Sequence, residues 1–351
     1  MKKGTDPSYD VDADISVART LPGSFYSDRD AYERAREKVF ARSWQWLGDL
    51  ADVAAPQTLS PRDLLPGVLD EPLLIARDAE GTLRCLSNVC THRGNILVKA
   101  ACAAKEIRCS YHSRRFDLAG RMTFMPEFRL ARDFPAPSDD LPRVAFAQWA
   151  GHAFASLDPA AAFDEVFSGV REAAPLHAEG FRHDPTRDRD YELHAHWALY
   201  VENYLEGFHI PFVHAGLNEV VDYGSYRTEL HRHSNVQLAA APDGAPAAQY
   251  WWIFPNLMLN FYPWGLSLNR VEPLGIDRTR VRFRSYVGDA TKLAEGAGAS
   301  LDRVEAEDEA IVQAVQRGVR SRLYTRGRYS PTREAGVHHF HRLLCEALNW
   351  S

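Results

Sequence analysis

Two short segments, each with one cysteine and one histidine, constrain this chain more than any other feature of its sequence. CTHRGN spans residues 90–95, and CSYH spans residues 109–112. A single Cys-His pair would carry little information. Two pairs whose separation in sequence is about that of a β-hairpin predict two loops that close on one bound metal ion or cluster.

The same four side chains suit either a zinc ion or a [2Fe–2S] cluster. Structural zinc sites usually take two cysteines from one turn and two histidines from elsewhere. Here each loop supplies one ligand of each kind, namely Cys90 with His92 and Cys109 with His112. This division favours a Rieske cluster, in which one iron binds both cysteines and the other binds both histidines. Gly94 would let backbone amides approach the cluster. A zinc ribbon stays open on the ligand pattern alone.

The composition is that of a globular protein, with 45% of the 351 residues hydrophobic and 25% charged. A net charge of −6 provides no basic surface, so we expect no nucleic-acid partner. No segment approaches the roughly 18 apolar residues of a membrane span, and the start, MKKGTDPSYDVDADIS, lacks the apolar stretch of a secretory signal. Five cysteines are too few for a disulfide framework, so we expect a reducing, cytoplasmic location.

The N-terminal half predicts a helix followed by a small β domain. Residues 28–50 have helical spacing, with Asp28 or Asp30 as the N-cap, and we assign 1–52 to a helical segment that packs on the larger domain. Short β-like runs separated by Asp, Gly and Pro turns fill residues 53–155.

Residues 156–351 predict a second, larger domain. It contains helical stretches, long strands such as 248–263 and 280–288, and a final helix at about 300–321. The predicted class is α+β, with the all-β domain inserted into the larger domain.

A second group of candidate ligands lies in VENYLEGFHIPFVH, residues 201–214. On a regular helix His209 and His214 would diverge by about 140°. Pro211 interrupts the helix between them and can turn His214 back. Glu206 lies three positions before His209 and shares its helix face. Histidines near a proline are more often unrelated, so the pair requires a third ligand.

Asp308 is the candidate for that ligand. The segment 300–323 has an apolar stripe made of Val304, Ile311, Val315 and Val319. Asp308 lies four positions after Val304 and would share the buried face, where a carboxylate is costly unless it is paired or bound to a metal. Two histidines and one carboxylate form the facial triad of non-haem Fe(II) oxygenases. The alternative is that Asp308 is simply one more exposed acid, beside Glu305, Glu307 and Glu309.

Together the motifs C-x-H-R-G, C-x-Y-H, N-x-x-E-x-x-H-x4-H and E-D-x6-V-Q-x-G resemble the α subunits of the Rieske non-haem iron oxygenases. The similarity runs in order from FARSWQWLGD to GVHHFHRLL. It implies a Rieske [2Fe–2S] domain over 53–155 and, over 156–351, a catalytic helix-grip domain, which is a sheet wrapped around a long helix. It also implies a cluster held by Cys90, His92, Cys109 and His112, and a mononuclear Fe(II) held by His209, His214 and Asp308.

The resemblance gives two further residues a role. Glu206 stands where the family places an acid that links the cluster of one subunit to the iron of its neighbour through hydrogen bonds to histidines. Most members carry Asp there, and Glu is typical of carnitine-type oxygenases. Asn203 is expected near the iron, as a distant ligand or behind the ligands. Electron transfer between subunits implies a homotrimer.

The cluster loops depart from related patterns at two places. Membrane-bound respiratory Rieske proteins tie these loops with a further cysteine pair, whereas this chain has Asn95 and Ser110, which predicts a soluble, lower-potential cluster. The family usually has Gly-Trp after the last cluster histidine, whereas this chain has Ser113-Arg114. We interpret Arg114 and Arg115 as solvated charges, or else as part of a docking patch for a reductase.

The resemblance implies a terminal oxygenase that uses O2 to hydroxylate, dihydroxylate or demethylate a small organic substrate. The sequence has no G-x-G-x-x-G after a strand and no C-x4-C-x2-C ferredoxin run, so we expect no flavin or NAD in this chain. Electrons would come from a separate NAD(P)H-dependent reductase, with or without a ferredoxin. A pure electron-transfer Rieske protein is the non-enzymatic alternative, and it would leave the C-terminal domain without a role.

NYLEGFHIPFVH and FPNLMLNFYPWGLSLNRVEPLG look closest to the choline, betaine and carnitine oxygenases. Aromatic faces attract quaternary ammonium groups. Five aromatic residues alternate along strands that we expect to face the cavity: Tyr250, Trp252, Phe254, Tyr262 and Trp264. Aromatic residues in strands also commonly fill a core, so ring hydroxylation of an aromatic acid is the alternative to a quaternary ammonium substrate.

Overall fold

The computed structural model describes residues 9–173, 180–294 and 301–350. The chain forms two compact units, of which the smaller is Ala41–Ala160 and the larger joins Met1–Phe40 to Ala161–Ser351. In sequence, the smaller unit is therefore inserted into the larger one. This arrangement confirms the predicted α+β class with an inserted β domain.

The unit boundaries lie outside the predicted ones at 52/53 and 155/156. The first shifts because Gln45–Asp49 (β1) pairs with a later strand, His152–Ser156, and so belongs to the smaller unit. The predicted helix over 28–50 is therefore too long.

Only the first part of that helix forms. Arg29–Ala35 is α-helical (α1), and Arg36–Phe40 continues it as a π-helix. Asp28 is the N-cap, since its side chain accepts hydrogen bonds from the N–H groups of Asp30 and Ala31.

The smaller unit contains two antiparallel sheets. Its strands after β1 are Thr58–Leu64 (β2), Glu71–Arg77 (β3), Leu83–Ser87 (β4), Cys102–Ala103 (β5), Ile107–Arg108 (β6), Arg115–Phe116 (β7), Met122–Phe124 (β8), Arg143–Trp149 (β9) and His152–Ser156 (β10). A seven-stranded sheet has the order β1-β10-β9-β4-β3-β2-β5, and a three-stranded sheet has the order β6-β7-β8.

Strand β3 lies between the two cores of this unit. Successive side chains of a strand point to opposite faces. Leu73 and Ile75 accordingly belong to one buried cluster, and Leu74 and Ala76 belong to another that also contains Cys90 and Cys109. The two cysteines of the Cys-His motifs are thus anchored in a hydrophobic core.

The larger unit is built on an eight-stranded antiparallel sheet, of order β11-β18-β17-β16-β15-β14-β13 with β12 also paired to β18. Its strands are Arg182–His183 (β11), Arg189–Leu193 (β12), Arg227–Leu230 (β13), Ser234–Ala240 (β14), Pro246–Ile253 (β15), Leu257–Tyr262 (β16), Gly265–Gly275 (β17) and Arg278–Val287 (β18). The predicted single strand over 248–263 is in fact the hairpin β15–β16.

The helices of this unit after α1 are Phe163–Val166 (α2), Ser168–Ala173 (α3), Trp197–Tyr204 (α4), Ile210–Val213 (α5), Ala215–Val220 (α6), Leu301–Val319 (α7) and Ala335–Asn349 (α8). Helix α7 confirms the predicted helix at about 300–321. Hydrogen bonds join it to the region of α4: Gln316 Oε1 accepts from the His196 N–H at 2.7 Å, and Glu305 Oε2 accepts from the Tyr200 hydroxyl at 2.8 Å.

Helix α8 follows the last helix that we predicted, and it went unpredicted although Val337, Phe340, Leu344 and Leu348 have helical spacing and are buried. Gly336 lies where an added Cβ would be 2.5 Å from the Leu205 carbonyl oxygen, so the close approach of α8 to the end of α4 requires glycine. Within the described ranges, no helix is long and apolar enough to cross a membrane.

Candidate metal centres

The chain turns sharply after α4, and this turn brings His209 and His214 together. His209 directly precedes α5, which contains Pro211, and His214 lies between α5 and α6. The two Nε2 atoms are 3.1 Å apart. The interruption at Pro211 therefore produces the predicted convergence of the two imidazoles, which a continuous helix would have prevented.

Asp308 of α7 joins this pair. Its Oδ1 lies 3.1 Å from His214 Nε2 and 3.5 Å from His209 Nε2. Ligands at adjacent positions around a six-coordinate metal, with bonds of about 2.1 Å, are separated by about 3 Å. The three atoms therefore have the spacing and chemistry of a 2-His-1-carboxylate triad, and they fit a mononuclear iron.

Carboxylates stand behind both histidines. Glu206 Oε1 lies 2.5 Å from His209 Nδ1, and Glu206 Oε2 accepts from the His209 backbone N–H at 3.0 Å. Glu307 Oε2 lies 2.8 Å from His214 Nδ1, and Arg303 Nε donates to Glu307 Oε1 at 3.0 Å. These contacts orient both rings so that each Nε2 points to the third ligand.

Charged neighbours shift the pKa values of His214 and Glu307. Burial opposes the protonation of His214, but Asp308 and Glu307 outweigh it and raise the pKa of the imidazole. Hydrogen bonds from His214 and Arg303 lower the pKa of Glu307. Glu307 is thus ionised and stands behind His214, not among the three converging atoms.

The apolar stripe predicted for α7 is displaced. The buried residues of this helix are Glu305, Val312, Gln316 and Val319, whereas Ile311 and Val315 are 40% and 42% exposed. Contacts with α4 and with a cavity determine which face of α7 is buried. The hydrophobic pattern of α7 alone did not predict that face. Asp308 lies near this face and points to the histidines.

A cavity that is partly open to solvent adjoins the triad. Asn203 and Glu206 line it beside the three candidate ligands. Tyrosines form much of its wall: Tyr200, Tyr204, Tyr226, Tyr250 and Tyr262.

Only part of the predicted aromatic wall reaches this cavity. Among the described residues that line it, the five predicted aromatics are represented by Tyr250 and Tyr262. Trp252 and Phe254 belong to a different aromatic cluster, in which Trp252 packs against Phe340 of α8 with ring centroids 5.4 Å apart. Trp264 stacks behind Tyr262. The predicted alternation of aromatic side chains along the strands was correct. One end of this sheet face lines the cavity, whereas α8 covers the end that carries Trp252.

In the smaller unit, the first Cys-His motif forms a tight loop. Val89 pairs with Ile96, and the Cys90 N–H donates to the Asn95 carbonyl at 2.9 Å. Gly94 has a φ of +70°, a conformation that glycine adopts without strain. The loop therefore returns on itself and holds Cys90 at its base.

The second motif forms the loop between β6 and β7. The Cys109 N–H donates to the Arg114 carbonyl at 2.8 Å. The rings of His92 and His112 meet edge to face, with centroids 4.7 Å apart. Within the part of the chain that the structure describes, His112 Nδ1 is buried without a hydrogen-bond partner, as expected for an imidazole nitrogen reserved for a metal.

Backbone N–H groups donate hydrogen bonds to the sulfur atoms of both cysteines. Burial raises the pKa of Cys90, against backbone hydrogen bonds from His92 and Arg93. Burial also opposes ionisation of Cys109, but backbone N–H groups of Tyr111 and His112 outweigh it and lower the pKa. Two cysteines, two histidines and surrounding amides match the donor set of a Rieske cluster.

Asn95 and Ser110 take the place of a disulfide between the loops. Asn95 Nδ2 donates to Ser110 Oγ at 3.3 Å and lies 3.6 Å from Cys109 Sγ. A hydrogen bond therefore joins the loops where other Rieske proteins have a covalent link.

The interpretation of Arg114 as a solvated or docking charge is wrong. Its side chain is 2% exposed, forms an ion pair with Asp139 at 2.5 Å, and lies over the ring of Phe134. Arg115 lies 3.6 Å from Glu106 and over the ring of Phe124. Residues 134–142, the Pro-rich segment FPAPSDDLP, include both Phe134 and Asp139, so this loop covers the side chain that stands in place of tryptophan.

Family comparisons agree with the two domain types. The Rieske [2Fe-2S] domain family matches residues 44–135, and the ring hydroxylating alpha subunit catalytic domain family matches residues 224–350. The chain is therefore an α subunit of the Rieske non-haem iron oxygenases, whose two domains carry a [2Fe–2S] cluster and a mononuclear iron. This result excludes the zinc ribbon and the pure electron-transfer protein.

Individual relatives cover nearly the whole chain. Choline monooxygenase, chloroplastic, of Arabidopsis thaliana is 27% identical over 96% of this chain and 84% of its own. The carnitine monooxygenase oxygenase subunit of Escherichia coli (strain K12) is 28% identical over 95% of both chains. The structure of the quaternary ammonium Rieske monooxygenase CntA in complex with L-carnitine is 25% identical, with a TM-score of 0.77 over 95% of this chain and 97% of that one.

The contacts of Glu305 and Glu307 were not predicted: Glu305 was expected to be an exposed acid, and Glu307 an exposed acid or an alternative iron ligand. The available signal was the acidic cluster itself, in which Glu305, Glu307 and Asp308 lie within a span of four residues. Their separate roles depend on which residues of α4 and α5 lie opposite.

Proposed function

We propose that this chain is the terminal oxygenase of a Rieske-type system that oxidises a quaternary ammonium compound at a carbon attached to nitrogen. The observation that carries the proposal is the convergence of His209 Nε2, His214 Nε2 and Asp308 Oδ1 beside a cavity walled by tyrosines. The choline and carnitine activities named for its relatives support the substrate class.

The proposal assigns the ligands of both centres. Cys90 and Cys109 would hold one iron of the cluster, and His92 and His112 the other. His209, His214 and Asp308 would hold the mononuclear iron, with Asn203 on the cavity wall beside them. When bound, the cluster supplies stored electrons and the iron supplies O2 activation.

The tyrosine wall supports a cationic substrate. A quaternary nitrogen has no N–H to donate, so hydrogen bonding cannot recognise it, whereas ring faces attract it. Tyr204 is held by hydrogen bonds from its hydroxyl to Asn260 Oδ1 at 2.5 Å and the Trp251 carbonyl at 3.0 Å. Such fixed rings would orient the substrate and exclude water from the triad.

The products follow from the substrate. Hydroxylation would put a hydroxyl group on the carbon bonded to the cationic nitrogen, using O2, two electrons from a reductase and two protons, with release of one water. The adduct then loses the hydroxyl proton, the C–N bond breaks with its electron pair going to nitrogen, and an aldehyde and a tertiary amine are released.

We also propose the wider assembly. The chain would receive electrons from a separate NAD(P)H-dependent reductase, with or without a ferredoxin, and act as a homotrimer in the cytoplasm. Glu206, on the Nδ1 side of His209, would link this iron site to the cluster of a neighbouring subunit. The five free cysteines, including exposed Cys102, support a reducing compartment.

A substrate screen tests the proposal. Purified protein, a surrogate reductase and NADH are supplied with choline, carnitine, glycine betaine and cyclic betaines, and O2 uptake and aldehyde are measured. We expect uptake matched by aldehyde and a demethylated or cleaved amine for at least one of them. Conversion of an aromatic acid to a cis-diol, with no turnover of the ammonium compounds, would place the protein in the ring-hydroxylating branch instead.

A further inference from the structure

Glu305 is a buried acid on the cavity wall that the iron site does not use. It lies on α7 and is 5% exposed. Its Oε2 accepts a hydrogen bond from the Tyr200 hydroxyl at 2.8 Å. Its Oε1 is buried and, among the described residues, has no hydrogen-bond partner. A carboxylate oxygen left in this state is costly unless something else satisfies it.

The protein offers this carboxylate no counter-ion in the cavity. Among the described residues that line it, the acids are Glu206, Glu305 and Asp308, and there is no lysine or arginine. The two histidines on the wall, His209 and His214, belong to the iron site. Even with a divalent metal bound, Glu305 therefore faces a cavity that lacks a positive partner for it.

The position of Glu305 relative to the iron site matches the size of a quaternary ammonium group. Glu305 precedes Asp308 by three residues, so the two lie on one helix face, about 4.5 Å apart along the axis. The positive nitrogen of the substrate is about 1.5 Å from the carbon to be oxidised. A substrate with that carbon beside the triad could therefore direct its nitrogen along this helix face towards Glu305.

We propose that Glu305 supplies the negative charge that binds the quaternary nitrogen of the substrate, and that Tyr200 positions the carboxylate. The inference deepens the proposed function, on which it rests, by separating two contributions to recognition. Tyrosine faces would favour the methyl groups around the nitrogen. Glu305 would provide the negative charge, because among the described acids of the wall Asp308 is a candidate iron ligand and Glu206 is paired with His209.

The titration of Glu305 agrees with this role. Burial, with repulsion from Asp308 and Glu309, raises its pKa well above the ordinary value. A neighbouring cation favours the ionised form, so binding of a cationic substrate would shift Glu305 towards the carboxylate. A neutral molecule of the same shape would leave the carboxylate without a partner, which opposes its binding.

Equilibrium binding to the iron-loaded protein tests the proposal. Choline and its neutral isostere 3,3-dimethylbutan-1-ol, which has carbon in place of nitrogen, are titrated calorimetrically into wild type and Glu305→Gln. We expect wild type to prefer choline by about 10- to 100-fold, and Glu305→Gln to reduce that preference to about threefold or less. The iron content of the variant should equal that of wild type, because no ligand is altered.

Two further variants separate recognition from general charge and folding effects. Glu309→Gln removes the same charge from the same helix, outside the cavity-lining set, and should keep the wild-type preference. Tyr200→Phe keeps the charge and the ring but removes the hydrogen bond that positions Glu305, and should weaken choline binding by about three- to tenfold. If Glu305→Gln folds poorly, Tyr200→Phe decides the question.

The outcomes distinguish this inference from the proposed function. A preference for choline that persists in Glu305→Gln overturns the role of Glu305 and leaves the substrate class intact. Where Tyr200→Phe decides instead, choline binding as tight as in wild type has the same meaning. A wild-type protein that binds choline and the neutral alcohol equally overturns both. Loss of the preference in Glu305→Gln but not in Glu309→Gln supports the assignment.

Discussion

Replacing Glu307 by alanine should weaken iron binding without removing a ligand. The Glu307 carboxylate lies 2.8 Å from His214 Nδ1 and is itself held by Arg303. Loss of such a partner behind a metal-binding histidine typically costs 10- to 100-fold in metal affinity, roughly 1.4–2.7 kcal/mol. The Glu307 side chain is 27% exposed, so water can partly replace it. We therefore expect about a tenfold loss.

The assay is an anaerobic competition between the protein and a chromophoric Fe(II) chelator, with the cluster absorbance as an internal reference that should not change. Arg303→Gln is the matched control. Its side chain is 70% exposed, so its ion pair with Glu307 is weak and the affinity should fall by about threefold or less. Unchanged affinity in Glu307→Ala would refute the role given to the contact. Complete loss of mononuclear iron would mean that Glu307 is itself a ligand.

Three further predictions follow from contacts elsewhere in the two units. Glu206→Gln should retain both metal centres but slow reoxidation of the reduced cluster in single turnover, because it removes the charge beside His209 Nδ1; an unchanged rate would leave Glu206 as an ordinary helix acid. Asn95→Leu should lower the cluster reduction potential in protein-film voltammetry, because the amide of Asn95 approaches Cys109 Sγ, and an unshifted potential would count against this contact. Burial lowers the pKa of His196 to about 3, so the folded state binds fewer protons than the unfolded state between about pH 3 and 6.5. The contribution of His196 to the free energy of unfolding should then be complete above pH 6.5 and fall as the pH drops through that window. In His196→Asn, whose side chain can still cap α4, the free energy of unfolding measured with urea should depend less steeply on pH. An equal dependence on pH in both proteins would contradict the assignment.

A candidate cluster site could be proposed from sequence because its proposed ligands lie in short loops. Cys90 and His92, like Cys109 and His112, are separated by one or two residues, so the local chain fixes most of the geometry. A Rieske [2Fe–2S] cluster requires two cysteines and two histidines, and this requirement favoured the cluster over a zinc ion.

The iron site could be predicted only in part. His209 and His214 are close in sequence, and Pro211 gave a local reason for their convergence. Asp308 is distant, and it stands beside Glu307, which points to the other nitrogen of His214. The orientation of α7 decides between the two acids, and it depends on packing against α4 that no pattern within α7 encodes.

Arg114 shows why surface charge is hard to infer. Arginine is mostly exposed in proteins, and no sequence pattern indicates that Asp139, 25 positions later, pairs with Arg114. Aromatic rings and one carboxylate made burial possible. The same limitation applies to Trp252, whose strand face was predicted correctly but which α8 separates from the cavity.

Metal and sulfide analysis of wild type and Asp308→Ala tests the central claim most directly. Two separate centres in one chain predict about three irons and two acid-labile sulfides per wild-type chain, without zinc. The variant should keep both sulfides and the cluster spectrum but only about two irons, and it should lose turnover. Stoichiometric zinc without sulfide in wild type, or a variant that retains its third iron, would contradict the account.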